Sequence, residues 1–363
     1  MPFLPPLPEL PAPLRAGGWR GLPRWLRDRL SVYSGQVQPP PPRDQPFERA
    51  AYGAAQPLLG LRVLLRDREL LVEALQPAGW LALACGAWAG LQGDHSMFSL
   101  GWFEQFYKAF AVLAPVPSVI FANHYARFAA LVRWRLGLGA CGPRELPLVE
   151  ILRRLVMQGV LVAVALAPAV AIARMLPGGA ALENALLAVW GLHWVVVEAF
   201  DDASVLQPGQ TLRDIELEAE HKRRPWFVRV FRWLEKKLPD RFAKIRKVVR
   251  LFADFIDGLS KPWREEIALL EASPRLGAGF ALATAAVLAT PVLNLVFRPI
   301  IIAGATHLLA HIEKAEHTEH ADALGEHVPE AGEAPGGPGA LLEANPDAPI
   351  GERLPGLGQR FRG

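Results

Sequence analysis

LVEILRRLVMQGVLVAVALAPAVAIARMLPGG, residues 148–179, decides the fold class. From Leu155 to Ala173 it carries no charge, and Gln158 is its one polar side chain. Such a run reaches the length at which an apolar helix crosses a hydrocarbon core. A helix buried inside a water-soluble protein usually keeps a polar face, and this one has none. Pro168 falls within the run, where a membrane helix tolerates it as a kink.

Four more runs nearly free of charge flank it: Ala78 to Gly93, Ala109 to Ala122, Ala185 to Val197 and Leu276 to Phe297. Apolar residues make up 51% of the 363 positions, with alanine and leucine dominant, so helix is favoured over strand. The expected fold is all-α: a polytopic helical membrane protein. Pro115 and Pro117 interrupt one run, and only a short piece, 299–310, follows Pro299 before the polar tail. The first predicts a half-penetrating helix beside the full spans; the second is either a half-span that turns back or one that leaves the tail outside. Short, proline-interrupted pieces are tolerated at membrane depth where protein or a cavity shields them, and transporters build ion sites from them.

Residues 1–50 are proline-rich and predict a flexible lead-in, with one short helix around Leu22 to Leu30 and no signal peptide. Residues 51–203 form the first part of the membrane core and 274–312 the second. Between them, 204–273 reads as a basic amphipathic helical insert. From His221 to Arg250 it carries 12 Lys or Arg against Glu235 and Asp240, with Trp226, Phe227, Val230, Phe231 and Leu234 at helical spacing. That pattern suits a surface of anionic headgroups, with a solvated helical hairpin as the alternative. Nothing in it points to a nucleic-acid-binding fold. The stretch 313–363 is acidic, rich in Gly and Pro, and predicts a disordered tail.

Cys85 and Cys141 are too few for a disulfide framework. His311, His317, His320 and His327 are too loosely spaced, without cysteines, to predict a metal tract, and no cofactor is expected. Nucleotide-binding glycine loops, HExxH and nucleophile elbows are missing from the sequence, so an enzyme is not expected. Lys and Arg cluster before the first run, between the second and third, and between the fourth and fifth. That alternation predicts a cytoplasmic N-terminus and a cytoplasmic insert.

Polar residues within the core draw attention because burying them in lipid is costly. Arg298 is expected either to anchor at the far interface or to line a polar cavity, with Asn294 one turn before it. Glu198 is a candidate for an interface position or a proton relay, and His193 for a packed, hydrogen-bonded histidine or a part of that relay. Pro77, Pro291 and Pro299 are structural breaks, and Gly304 and Thr306 suit close helix packing.

GLR at Gly60 to Arg62, the proline-led helix from Pro77, and SPRLGAGFALATAAVLATPVLNLVFRPIIIAGATHLL with its Pro291, Asn294, Pro299 and Gly304-Ala305-Thr306 together resemble the EI24/CysZ-like family of integral membrane proteins. The likeness covers roughly residues 55–200 and 265–312. It implies a bacterial inner-membrane location, assembly as a homo-oligomer, and a permease for a small anion such as sulfate. The family's sulfate motif would fall on Gly60, Leu61 and Arg62. Arg66 lies one turn further on the same face. The basic insert and both termini depart from the compact family core. They leave open a non-transporting scaffold whose insert binds anionic lipid or a partner protein.

Overall fold

The computed structural model describes residues 22–35, 40–42, 44–92, 96, 99–113, 119–139, 141–207, 209–290 and 296–324. They are largely α-helical. The chain divides into a compact unit through His311 and a second from Ile312 onward. The expected Pro291 and Asn294 roles, and most of the tail, lie outside the described residues.

Helix α1 (Leu22–Tyr33) lies against α2 (Pro46–Arg66). Asp67 separates α2 from α3 (Arg68–Leu91). Its Oδ1 accepts hydrogen bonds from the Glu69 and Leu70 amides at 2.9 and 3.2 Å, satisfying donors that a helix start leaves open. Leu81, Cys85 and Ala89 of α3 then pack on Phe106, Ala109 and Phe110 of α4 (Leu100–Leu113). After α5 (Ala122–Arg135), β1 (Gly142–Pro143) pairs antiparallel with β2 (Val205–Leu206).

The decisive run forms α6 (Leu148–Ala165) and α7 (Ala167–Arg174), broken at Leu166 just before Pro168. Helix α8 (Gly179–Ala203) follows a turn in which Gly178 has φ +75°, a conformation suited to glycine. Three stretches, 68–91, 148–174 and 179–203, are long and apolar enough to cross a membrane. Only 11% of the apolar window in the second is buried within the protein, so most of its surface needs an apolar solvent.

The insert forms α9 (Leu212–His221), α10 (Trp226–Lys237), α11 (Ala243–Ser260) and α12 (Arg264–Ala272). Phe227 and Ile256 pack with Trp190 and Trp194 of α8, Leu161 of α6 and Trp263. Phe231 and Phe252 meet edge to face at 4.9 Å, joining α10 to α11.

Helix α13 (Pro274–Ala289) ends short of the expected 276–297 run, and α14 restarts at Phe297 and runs to Leu324. At 1.5 Å per residue, sixteen residues reach about 24 Å, less than a ~30 Å hydrocarbon core. Helical backbone therefore also extends beyond 312, where a disordered tail is expected from the sequence.

Candidate functional site

Glycines set the closest helix crossings. A Cβ on Gly60 would collide with the Ile300 carbonyl oxygen, and one on Gly304 would sit 2.5 Å from the Gln56 carbonyl oxygen. Gly53 meets the Leu276 backbone and Gly279 the Ala50 backbone in the same way. Helix α2 is therefore pressed between α13 and α14. The space a glycine leaves at position 60 is taken by another helix, which corrects its expected use as an approach for an anion.

Leu61 is half-buried, while Arg62 and Arg66 are exposed near the end of α2. Arg62 borders an open hollow with Leu26, Leu30, Ser31 and Ser34 of the α1 region and Leu58. Arg66 stands in the last turn of α2, where a cation complements the helix dipole. The four residues do not converge on one pocket.

The charges that do converge lie elsewhere. Glu198, Asp201 and Asp202 occupy the last turns of α8, which contain no basic residue. Carboxylates at the negative end of a helix dipole are unfavourable, so they require cations from other elements. Three arginines provide them. Arg298, in the first turn of α14, reaches Asp202 at 2.8 Å and Glu198 at 3.5 Å, with its guanidinium 5.3 Å above the Tyr125 ring. Arg144 reaches Asp201 at 3.1 Å and Glu266 of α12 at 2.9 Å. Arg154 of α6 reaches Asp201 at 3.0 Å.

Arg298 thus adjoins the end of α8 that also meets Arg144 and Arg154, where it pairs with carboxylates of its own chain and borders a polar cavity. Glu266, just before α13, and Arg298, at the start of α14, both belong to this junction.

Local structure fixes Arg144. The β1–β2 pair holds the chain just before it, and Asn123 of α5 clasps the chain just after it. The Asn123 Nδ2 donates to the Leu146 carbonyl at 3.0 Å, while the Leu146 amide donates to Asn123 Oδ1 at 2.9 Å. Neither Asn123 nor Arg144 stands out in the sequence as a site residue, because their partners are distant along the chain. Arg144 is 5% exposed and Glu266 1%. Burial alone would lower the Arg144 pKa, but Asp201 and Glu266 more than offset it and hold the guanidinium above its usual range. Burial, with the Asp201 carboxylate, pushes Glu266 up to about 7 despite Arg144.

Two cavities flank the Arg144–Arg154 wall. One, of about 80 Å³, lies among Asn123, Gln158, Glu198, Asp202 and Arg298. The other, of about 210 Å³, opens toward the insert.

His193 lies apart from the junction, stacked on Trp190 at 5.5 Å. Its Nε2 is buried with no hydrogen-bond partner among the described residues. Pro77 is buried inside α3 and Pro299 in the first turn of α14. Thr306 is buried and donates to the Ile302 carbonyl of its own helix at 2.8 Å. A buried polar chain that sequence reasoning passed over links α2 to α14. In it Gln56 Oε1 meets His307 Nδ1 at 2.6 Å, and His307 Nε2 meets His311 Nε2 at 3.1 Å. Among the described residues, no group of three or more His, Cys, Asp or Glu could hold a metal ion.

Comparison of the chain with protein-family models, curated proteins and solved structures finds no match. None of the three ties it to the EI24/CysZ-like family or to sulfate permeases.

Proposed function

We propose that this is a multi-pass membrane protein whose basic hairpin engages an anionic lipid surface, acting as a membrane scaffold rather than as an enzyme. The carrying observation is the two-sided apolar surface of α10 and α11. One side packs inward through Phe227, Phe252 and Ile256. The other leaves Trp226, Val230 and Trp233 of α10, and Ile245, Val248 and Leu251 of α11, exposed. Lys236, Lys237, Lys244, Lys247 and Arg250 border that outer face and are also exposed. An apolar strip flanked by cations matches the boundary between acyl chains and anionic headgroups. Helices α3, α6–α7 and α8 serve as the membrane spans, and α13 enters the membrane without the length to cross it. The N-terminus and the hairpin then face the cytoplasm.

The test uses Trp233→Cys in a Cys85→Ala, Cys141→Ala background, labelled with a polarity-sensitive fluorophore. Reconstituted in bilayers containing phosphatidylserine, the label is expected to emit as in an apolar medium. In phosphatidylcholine alone the shift is expected to be smaller, and added salt is expected to weaken it mainly in the phosphatidylserine bilayers. A water-like emission in both would reject lipid engagement.

Movement of a small, sulfate-like oxyanion is a second reading, and the buried charges at the ends of α6, α8 and α14 favour it. Ionisable groups at such depth commonly line ion routes. Sulfate uptake into liposomes that disappears in Arg298→Gln would support it. Uptake equal to that of empty vesicles would exclude it.

A further inference from the structure

Helix α4 carries an ion pair at a level where its surroundings should be lipid. Its inward side, with Trp102, Phe106, Ala109 and Phe110, packs on α3, and Trp102 lies 3.6 Å from where a Cβ on Gly86 would stand. The other side holds Leu100, Phe103, Glu104, Tyr107 and Lys108, one stripe at i, i+3, i+4, i+7 and i+8. That stripe is open, with Leu100, Phe103 and Tyr107 all exposed. Lys108 Nζ lies 2.7 Å from Glu104 Oε1, and these two side chains are 60% and 64% exposed.

The depth of the pair follows from α3. That helix has no charged residue from Ala74 to Leu91 and is long and apolar enough to cross a membrane. Phe106, between Glu104 and Lys108 along α4, packs in one cluster with Leu81, Cys85 and Ala89. The ion pair therefore runs beside the charge-free part of α3 and away from its charged start at Arg68, Glu69 and Glu73. Charged groups at membrane depth are costly against lipid and belong where protein or water covers them. The exposed Phe103 and Tyr107 beside the pair are residue types enriched in protein interfaces.

The stripe is complementary to itself. Copies in one membrane share a topology, so a twofold axis relating two of them lies along the membrane normal. Two α4 helices related by that axis run side by side in the same direction. Each Glu104 can then reach the Lys108 of both copies, closing a neutral ring of alternating charges shielded by the neighbouring aromatic rings. We infer that two copies of this chain pair within the membrane through the Leu100–Lys108 face of α4. The inference rests on α3 as a span and does not need the hairpin to engage lipid.

The test uses the full chain in phosphatidylcholine vesicles, with donor and acceptor fluorophores on the N-termini of separate copies. Energy transfer, followed as added lipid dilutes the protein, reads the dimer. Glu104→Lys and, separately, Lys108→Glu fill the ring with like charges and are each expected to weaken association by about tenfold or more. The exchange Glu104→Lys/Lys108→Glu should restore the parent's behaviour. In the Cys85→Ala, Cys141→Ala background, Tyr107→Cys is expected to give a disulfide-linked dimer on oxidation with copper phenanthroline. Val156→Cys, exposed on α6, is expected to stay monomeric. Absence of transfer, transfer that ignores both charge reversals, or cross-linking at position 156 and not at 107 overturns the interface. A polarity-sensitive label at Leu83→Cys, on the exposed side of α3, separates this inference from the span it rests on. Water-like emission there removes the span and the dimer with it. Apolar emission in a protein that stays monomeric removes the dimer alone, and the label at position 233 bears on the hairpin alone.

Discussion

Two helical regions rich in leucine, alanine and valine are covered in opposite ways. Helix α2 is sealed by its own chain, with glycines at 53 and 60 meeting the α13 and α14 backbones. Helices α6 and α7 leave Val156, Val160 and Ile172 facing outward, and Gly159 has nothing within contact distance of an added Cβ. Hydrophobicity alone therefore does not say what a helix touches. In lipid, close helix pairing depends on backbone approach, and small residues matter only where another backbone arrives.

The sharpest way to break this contrast is a matched pair of substitutions. Gly60→Leu is expected to abolish most folded protein, because the obstructing atoms are backbone and overpacking costs ~1–3 kcal/mol even where side chains can yield. Gly159→Leu should leave yield and thermal stability in detergent close to the parent. Equal losses in both would show that α6 is covered by protein after all.

Next in size is the charged junction, where the two regions meet. Arg298→Ala strands Asp202, and loss of one partner of a buried ion pair costs ~3–5 kcal/mol. A clear fall in unfolding temperature is expected, with partial recovery in Arg298→Ala/Asp202→Asn. No recovery in the double variant would argue that Arg298 acts through Tyr125 packing instead.

A smaller, pH-dependent effect comes from Glu266. Its folded pKa of about 7 lies above the ordinary 4.5, so the folded chain holds a proton that the unfolded chain has released. Its contribution is complete below about 4.5 and is lost as pH rises through about 7. Glu266→Gln should flatten that decline, which unfolding temperatures measured on both sides of the window would reveal. The smallest effect is expected from Arg62→Ala, an exposed change within about 0.5 kcal/mol.

Much of this architecture is legible in residues 148–179 and their neighbours, because span length and missing charge are local properties. The basic insert is legible for the same reason. The junction is not. Arg298 and Glu198 both draw notice as polar residues in apolar runs, yet nothing local says that they meet. Arg144 and Arg154 count in sequence only toward sidedness, and Asn123 carries no signal. Gly60 shows a deeper ambiguity. A glycine that admits a helix and one that admits an anion look alike until the neighbour is known.

The crossing of α2 by α14 also fixes an order of events during biogenesis. Gln56 and His307 are separated by 251 positions, so the ribosome finishes α2 long before its partners exist. The glycine faces of α2 stay uncovered through synthesis of every span and the whole insert, and contacts so distant in sequence form late. Until α14 emerges, α2 depends on lipid, the insertion machinery or a chaperone for cover. A chain truncated before residue 297 would keep α13 against α2 but leave the α14-facing side, with Gly60 and Gln56, exposed to quality-control proteases.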